Sequence, residues 1–432
     1  MKIISHLALA AVLAGGVAGL AFAEPAVAQK QKKDEKAPGL KLSPEVMKAA
    51  TPAQDAIAAR NLAVAEPLVV SMEAAAKSDD DRYVAGVLRL NVEQIKLQTA
   101  QQANPNAPIN DTALAAPLDA LIANPKTPPA DKARFYYVRA QLAYNSKQYQ
   151  VATDYFTKAR EAGYTDPQLG LFLVRSRIEG GDVAGGTTEL ERTIAEKTAK
   201  GEKAPEEWYR YAIAQSNKRK LKPQTLTWLG KYAAAYPSPK TWYEVLATYG
   251  IQQDSVSKLD NQQKIDLFRL MRATGGLNDQ YFYLEYAQKA QNAGLPFEAQ
   301  AVLREGMANG KIPAANTEAK AMMTEVATSI RNEGSLTALE TKARASAGGS
   351  LAMQTADANL GAGNYAKAAE LYRLALSKGG VDADTVNTRL GIALARSGDK
   401  AGAQAAFDLV KTGNRAEIAQ LWTTYLNPAP AA

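Results

Sequence analysis

Cysteine is absent from the 432 residues and histidine occurs once, as His6. Without thiols or spare imidazoles there can be no disulfide, no Cys/His zinc site, no c-type haem attachment and no Cys-His or Ser-His-Asp catalysis. Aromatics make up only 7% of the chain. No stretch alternates Val, Ile and Thr in the manner of a strand, and helix formers prevail, so an all-helical chain is expected. Beyond the first two dozen positions no apolar run approaches the roughly 20 residues that span a bilayer.

What is present begins with an export pattern. Met1-Lys2 is followed by an uncharged segment from Ile3 to Ala23, and small-x-small sites stand at Ala21-Phe22-Ala23 and Ala26-Val27-Ala28. Residues 1–28 therefore read as a signal peptide, which places the rest of the chain in the periplasm, or outside the cell, without stable membrane insertion. Its removal takes His6 with it and leaves 50 basic against 43 acidic residues, still +7. Residues 29–42 read as a charged leader without structure and 427–432 as a short tail. The densest basic run, Lys218-Arg219-Lys220-Leu221-Lys222, has no interleaved aromatics, so no nucleic-acid partner is expected. It reads as a loop between helices, with contact to an acidic partner as the alternative.

Helix starts are written in proline and its capping neighbours at Ser43-Pro44-Glu45, Thr51-Pro52, Asp131, Asp166-Pro167, Ala204-Pro205-Glu206 and Ser238-Pro239. Internal repetition is the strongest signal. Trp208 and Trp242 are 34 residues apart, each followed by tyrosine. Gly363-Asn364-Tyr365-Ala366-Lys367-Ala368 recurs as Gly398-Asp399-Lys400-Ala401-Gly402-Ala403, a shift of 35. Lys147-Gln148-Tyr149 recurs as Gly181-Asp182-Val183, a shift of 34. Each such unit has one apolar face that only a neighbouring unit can cover.

On these residues the chain resembles the tetratricopeptide repeat family, above all in Leu360–Leu376 and Arg389–Phe407. The resemblance implies an all-α, right-handed superhelix of antiparallel helix pairs with a concave groove. The expected organisation is degenerate helical repeats over 43–131, tetratricopeptide-like repeats over 132–313 and further helical repeats over 314–426. In the register the family implies, Tyr136, Trp208, Trp242 and Tyr283 pack inward. The groove column then contains Arg134, Tyr137, Gln141, Tyr144, Asn145, Arg175, Tyr209, Ser216, Asn217, Tyr243, Gln288 and Asn292. Tyrosine, amide and guanidinium groups suit an extended peptide or protein segment, or a polysaccharide stacked on tyrosine.

Other chemistry finds little support. Glu179-Gly180-Gly181-Asp182 and the residues up to Gly186 follow a helix and lack a GK[ST] ending, so they read as a turn rather than a phosphate cradle. Asp79-Asp80-Asp81 lacks the alternation of a calcium loop and reads as a helix cap. Carboxylate catalysis would have to use Glu206, Glu207, Glu244 or Glu285, all at helix starts or on exposed faces, where the helix dipole already accounts for acids. The expectation is a non-catalytic scaffold for a protein or peptide partner in the cell envelope, with no cofactor and no metal. A scaffold for polysaccharide or peptidoglycan assembly is second, and a glycan-processing enzyme third.

Overall fold

The computed structural model describes residues 40–105 and 111–428. The signal segment, nearly all of the leader and the last four residues lie outside them. The chain divides into two compact units, Met1–Glu196 and Lys197–Ala432. Every regular element among the described residues is helical.

The first unit contains α1 (Pro44–Ala58), α2 (Leu62–Ala75), the long α3 (Asp79–Ala103), a 3-10 turn at Thr112–Leu114, α4 (Ala115–Ala123), α5 (Pro129–Asn145), α6 (Tyr149–Glu161), α7 (Leu169–Glu179) and α8 (Val183–Ala199). The unit boundary falls in the last turn of α8. Helices consecutive in sequence pack on one another through short turns. Ser43-Pro44 does start α1, but Thr51-Pro52 starts nothing, because Pro52 lies inside α1. A proline signal marks a start only where the preceding turn is already broken.

The aspartate run is a cap, as expected. Ser78 and Asp81 form a capping box at the head of α3. Asp81 is fully buried and accepts N–H donors from Ser43 at 2.8 Å, Ser78 at 3.0 Å and Lys77 at 3.1 Å. Burial alone would raise its pKa, but the backbone and Ser78 hydrogen bonds together outweigh it and hold the carboxyl below its usual value. Because Ser43 belongs to the start of α1, this carboxylate ties the first helix pair to the third helix.

The second unit continues with α9 (Glu206–Lys218), α10 (Lys222–Ala235), α11 (Pro239–Leu246) extended by a π turn at Ala247–Ile251, α12 (Asn261–Ala273), α13 (Gln280–Asn292), α14 (Pro296–Ala308), α15 (Thr317–Glu333), α16 (Leu336–Ala345), α17 (Ser350–Gly361), α18 (Tyr365–Lys378), α19 (Ala383–Ser397), α20 (Lys400–Phe407) and α21 (Gly413–Leu426). Several of the turns between successive helices close in one way. At Gly363 and Gly398 the backbone takes φ of 85° and 91°, and the next residue's N–H reaches back to a carbonyl five positions earlier. Lys147 and Lys220 occupy the same left-handed position with φ of 58° and 59°. A side chain there is strained, although a cation after a helix C-terminus is favoured by the dipole.

Two packing features depart from simple nearest-neighbour stacking. First, α14 packs directly on α17, bypassing the two helices between them. A Cβ on Gly361 would stand 2.7 Å from the Glu298 backbone nitrogen, so only glycine permits this crossing. Second, α21 packs on α10 and α12, far from it in sequence. A buried ionic network holds this return. Asp266 on α12 accepts from Arg269 at 2.6 Å, Arg389 at 3.3 Å and Arg415 at 2.7 Å. Arg269 forks onto Glu298 at 2.8 and 2.5 Å, and Arg389 reaches Asp357 at 2.7 Å. Tyr372 donates to Asp357 at 2.5 Å, and Tyr286 donates to Glu298. Three guanidinium groups thus meet three carboxylates. Burial pushes the Asp266 pKa up, but Arg389, Arg269 and Arg415 together hold it below the ordinary carboxylate range.

Candidate partner-binding surfaces

In the first unit, α5 and α7 supply the expected groove residues. Tyr137 is 2% exposed and Gln141 7%, so neither faces a groove. The Tyr137 ring is enclosed by Phe156, Phe172 and Tyr164, with centroids 5.7, 6.1 and 4.6 Å away. Its hydroxyl is engaged by Asp166 and Gln141, and burial, reinforced by Asp166, drives its pKa far up. The expectation for the preceding residue is reversed as well: Tyr136 is only half-buried and lies against Tyr155 at 6.1 Å.

Arg134, Tyr144 and Arg175 are half-buried and Asn145 is exposed. Arg134 pairs with Asp131 at 3.3 Å, the same carboxylate that accepts the Tyr83 hydroxyl at 3.2 Å. Asn145 donates to Asp111 at 3.1 Å. The Tyr144 ring meets Tyr149 and Phe172 edge-on at 5.5 and 6.0 Å. Burial raises the pKa of its hydroxyl, partly countered by Arg175. These four form a polar margin committed to internal partners more than an open recognition surface.

In the second unit the expectation divides. Tyr209 is 7% exposed and Ser216 wholly buried. The Tyr209 ring packs on Trp228, Tyr232 and Tyr236 with centroids 6.0, 6.4 and 5.8 Å away, while Trp208 is half-buried at the surface. The reason is register. Tyr209, Trp242 and Tyr283 are each the fourth residue of their helices, and all three are buried. The tryptophan spacing of 34 therefore aligned a third residue with a fourth. Trp242 and Tyr283 pack inward as expected. Asn217 is half-buried, one position from the Ser216 core.

Tyr243, Gln288 and Asn292 do reach the surface. Tyr243 is half-buried, its ring 5.5 Å from Phe282, and hydrogen-bonds Asp279; burial, then Asp279, raises its pKa. Phe282 in turn contacts Tyr281 at 5.4 Å, and the Tyr281 ring is 68% exposed. Tyr281, Glu285, Gln288 and Asn292 recur at i, i+4, i+7 and i+11, one face of α13. Tyr281 hydrogen-bonds Glu285, and Gln288 donates to Asn292 at 2.9 Å. The groove column omitted Tyr281 although its spacing to Gln288 and Asn292 was available in the sequence. The result is an aromatic shelf beside an amide ladder.

The acids considered for catalysis are structural where they meet. Glu206 and Glu244 share Arg210, each 2.9 Å from its Nη2. The Tyr232 hydroxyl donates to Glu206 at 2.5 Å and lies 3.2 Å from Glu244, and burial followed by the Glu206 bond pushes the Tyr232 pKa up to about 12. Glu285 lies 3.6 Å from Lys289 and Glu207 is exposed. Among the described residues no three acids gather in a way that could hold a metal ion. No helix among them is long and apolar enough to cross a membrane.

No family model matches the chain, and no curated protein matches it. Solved structures similar to it include the pentatricopeptide repeat protein PPR10 from maize, at 14% identity and a TM-score of 0.27 over 86% of this chain and 59% of that one. Naa15/Naa10 bound to HypK-THB is similar at 13% identity and a TM-score of 0.27, over 86% and 65% of the two chains. The APC/C hetero-tetramer Cut9-Hcn1 is similar at 11% identity and a TM-score of 0.17, over 85% and 79%. The chain thus spans less than two thirds of the first two. Likeness at these scores bears on no individual residue here.

Proposed function

We propose that the chain is an exported, non-catalytic scaffold of tetratricopeptide-like helix pairs that binds a protein or peptide partner in the periplasm. The observation that supports this most is the α13 surface, where an exposed Tyr281 ring, in tilted contact with Phe282 and through it Tyr243, adjoins the Gln288–Asn292 amides. A rigid tyrosine costs little entropy on binding, and side-chain amides can pair with a peptide backbone. Export rests on the 1–28 segment. Replacing Tyr281 with alanine should abolish capture of the partner crosslinked in intact cells, with melting unchanged because the ring is 68% exposed. Capture that survives this change removes this surface from the account.

The exposed ring also favours a polysaccharide as a second reading, since sugar faces stack on tyrosine. Binding of purified protein to soluble glycan, lost in Tyr281→Ala, would move the assignment to that class. The enzyme reading has less behind it. Glu206→Gln and Glu244→Gln should lower stability by loosening the Arg210 cluster and should leave no glycan turnover to lose.

A further inference from the structure

The direct packing of α14 on α17 leaves a space beside the two bypassed helices. α15 lies against α14 and α16 against α17, and where the one turns into the other a cavity of about 640 Å³ opens, with Glu333 and Leu339 in its walls. That volume falls within the roughly 300–1,000 Å³ of small-molecule sites. Leu295, Leu339, Leu351 and Met353 give it an apolar side. It reaches the end of α13 at Ala293, about 18 Å along that helix from Tyr281 at about 1.5 Å per residue, so it is distinct from the tyrosine shelf.

The charged groups that line the cavity are Arg389, Arg415, Asp357 and Glu333, so the lining carries no net charge. Most of it is already committed. Arg389 spends its guanidinium on Asp266, Asp357 and Gln262, and Asp357 also accepts the Tyr372 hydroxyl. Arg389 is 3% exposed and Asp357 4%, which fixes this part of the wall. Two groups of opposite sign keep capacity. Arg415 gives one N–H to Asp266 at 2.7 Å, and its other nitrogens have no partner among the described residues. Asp382, at the head of α19, feels the Arg415 charge without bonding to it. Glu333 stands at the lip: much of the residue is open to solvent, yet burial raises the pKa of its carboxyl and no cation of the chain counters this. The Gln262 amide nitrogen and the whole Gln354 amide also line the cavity unengaged.

We propose that this cavity binds a short peptide with both ends free, its carboxylate on Arg415, its ammonium on Glu333 and its apolar side chains against the leucine side. A simple anion or cation gains little, because the lining is balanced and each leaves one of the two groups without a partner. A fatty acid fits the apolar side and Arg415, but it leaves the crowded Glu333 carboxyl unpaired. A zwitterion satisfies both at once. Between the charged ends, the Gln262 amide nitrogen can donate to a peptide carbonyl, and Gln354 can pair with either kind of backbone group.

The test is calorimetric titration of the intact purified protein with the tripeptide Leu-Ala-Leu and with its N-acetylated and C-amidated forms. The free peptide should bind, and blocking either end should weaken binding at least about tenfold. Glu333→Gln should abolish the preference for a free amino end and keep the preference for a free carboxylate. Arg415→Lys keeps a cation for Asp266 but loses the second edge of the guanidinium, so it should do the reverse. Glu333 has no partner in the chain, so Glu333→Gln should melt as the parent does, and its result decides the matter even if Arg415→Lys fails to fold. Tyr281→Ala should leave the titration unchanged, so failure here and failure of the α13 reading are distinguishable. The proposal is overturned if the free peptide does not bind at about 1 mM, if the blocked forms bind as well as the free one, or if the preference for a free amino end survives Glu333→Gln. It is also overturned if Tyr281→Ala removes the binding, which would assign the peptide to the α13 surface.

Discussion

Tyr209 and Tyr281 are both tyrosines near helix starts, and the structure gives them opposite fates. Tyr209 is enclosed by three aromatic rings, while Tyr281 projects from the surface with 68% of its area exposed. Truncating Tyr209 to alanine should cost about 3 kcal/mol or more, the range for a buried aromatic, whereas Tyr281→Ala should stay within about 0.5 kcal/mol. Denaturant titration of the two variants checks this, and equal losses would contradict the burial assignment. Lys147 offers a gain instead. Its φ of 58° is strained for a side chain, so Lys147→Gly should stabilise the first unit by about 0.5–1 kcal/mol, read as a higher denaturation midpoint. The presence of aromatic pairs was legible in the sequence, but which member faces inward was not. Adjacent helix residues differ by about 100°, so a one-residue error in where the helix begins exchanges core for surface. At Trp208-Tyr209 that error arose because Pro205 caps the helix from outside, whereas Pro239 is its first residue.

Helices and their turns were the most readable level. Ser43-Pro44, Pro205-Glu206 and Ser238-Pro239 mark real starts, and the Gly363 and Gly398 turns close as the repeat pattern requires. What the pattern could not convey is contact between elements distant in the chain. Nothing local to Asp266 announces that it will meet Arg389 and Arg415, more than a hundred residues away. That contact makes α12, α19 and α21 one cooperative block. Asp266→Asn leaves three buried arginines facing two carboxylates, and losing one member of such a network costs about 3–5 kcal/mol. Amide exchange should show α12, α19 and α21 losing protection together in this variant while α5 and α6 keep theirs. Loss confined to α12 would mean the network does not couple the helices.

Among the described residues, the shifted carboxylates and tyrosines titrate towards the extremes of pH, apart from Glu333, whose carboxyl is raised by burial. The Asp266 and Asp81 pKa values lie below the usual 3.8, so their contribution is complete above about pH 4 and is lost as pH falls through the lowered values. Tyr83, Tyr232 and Tyr283 are raised from 10.0 to about 12, chiefly by burial. Their contribution is complete below pH 10 and is lost between there and about pH 12. Melting temperature should therefore fall at both ends, as pH drops below about 4 and as it rises above about 10, and a flat profile across either end would contradict it. The most direct measurement of the proposed scaffold role is photocrosslinking in intact cells from a benzophenone side chain at position 281, with the exposed Leu409 position as control. A scaffold reading predicts one discrete protein adduct from 281 and none from 409. No adduct from 281, or the same products from both positions, would contradict it.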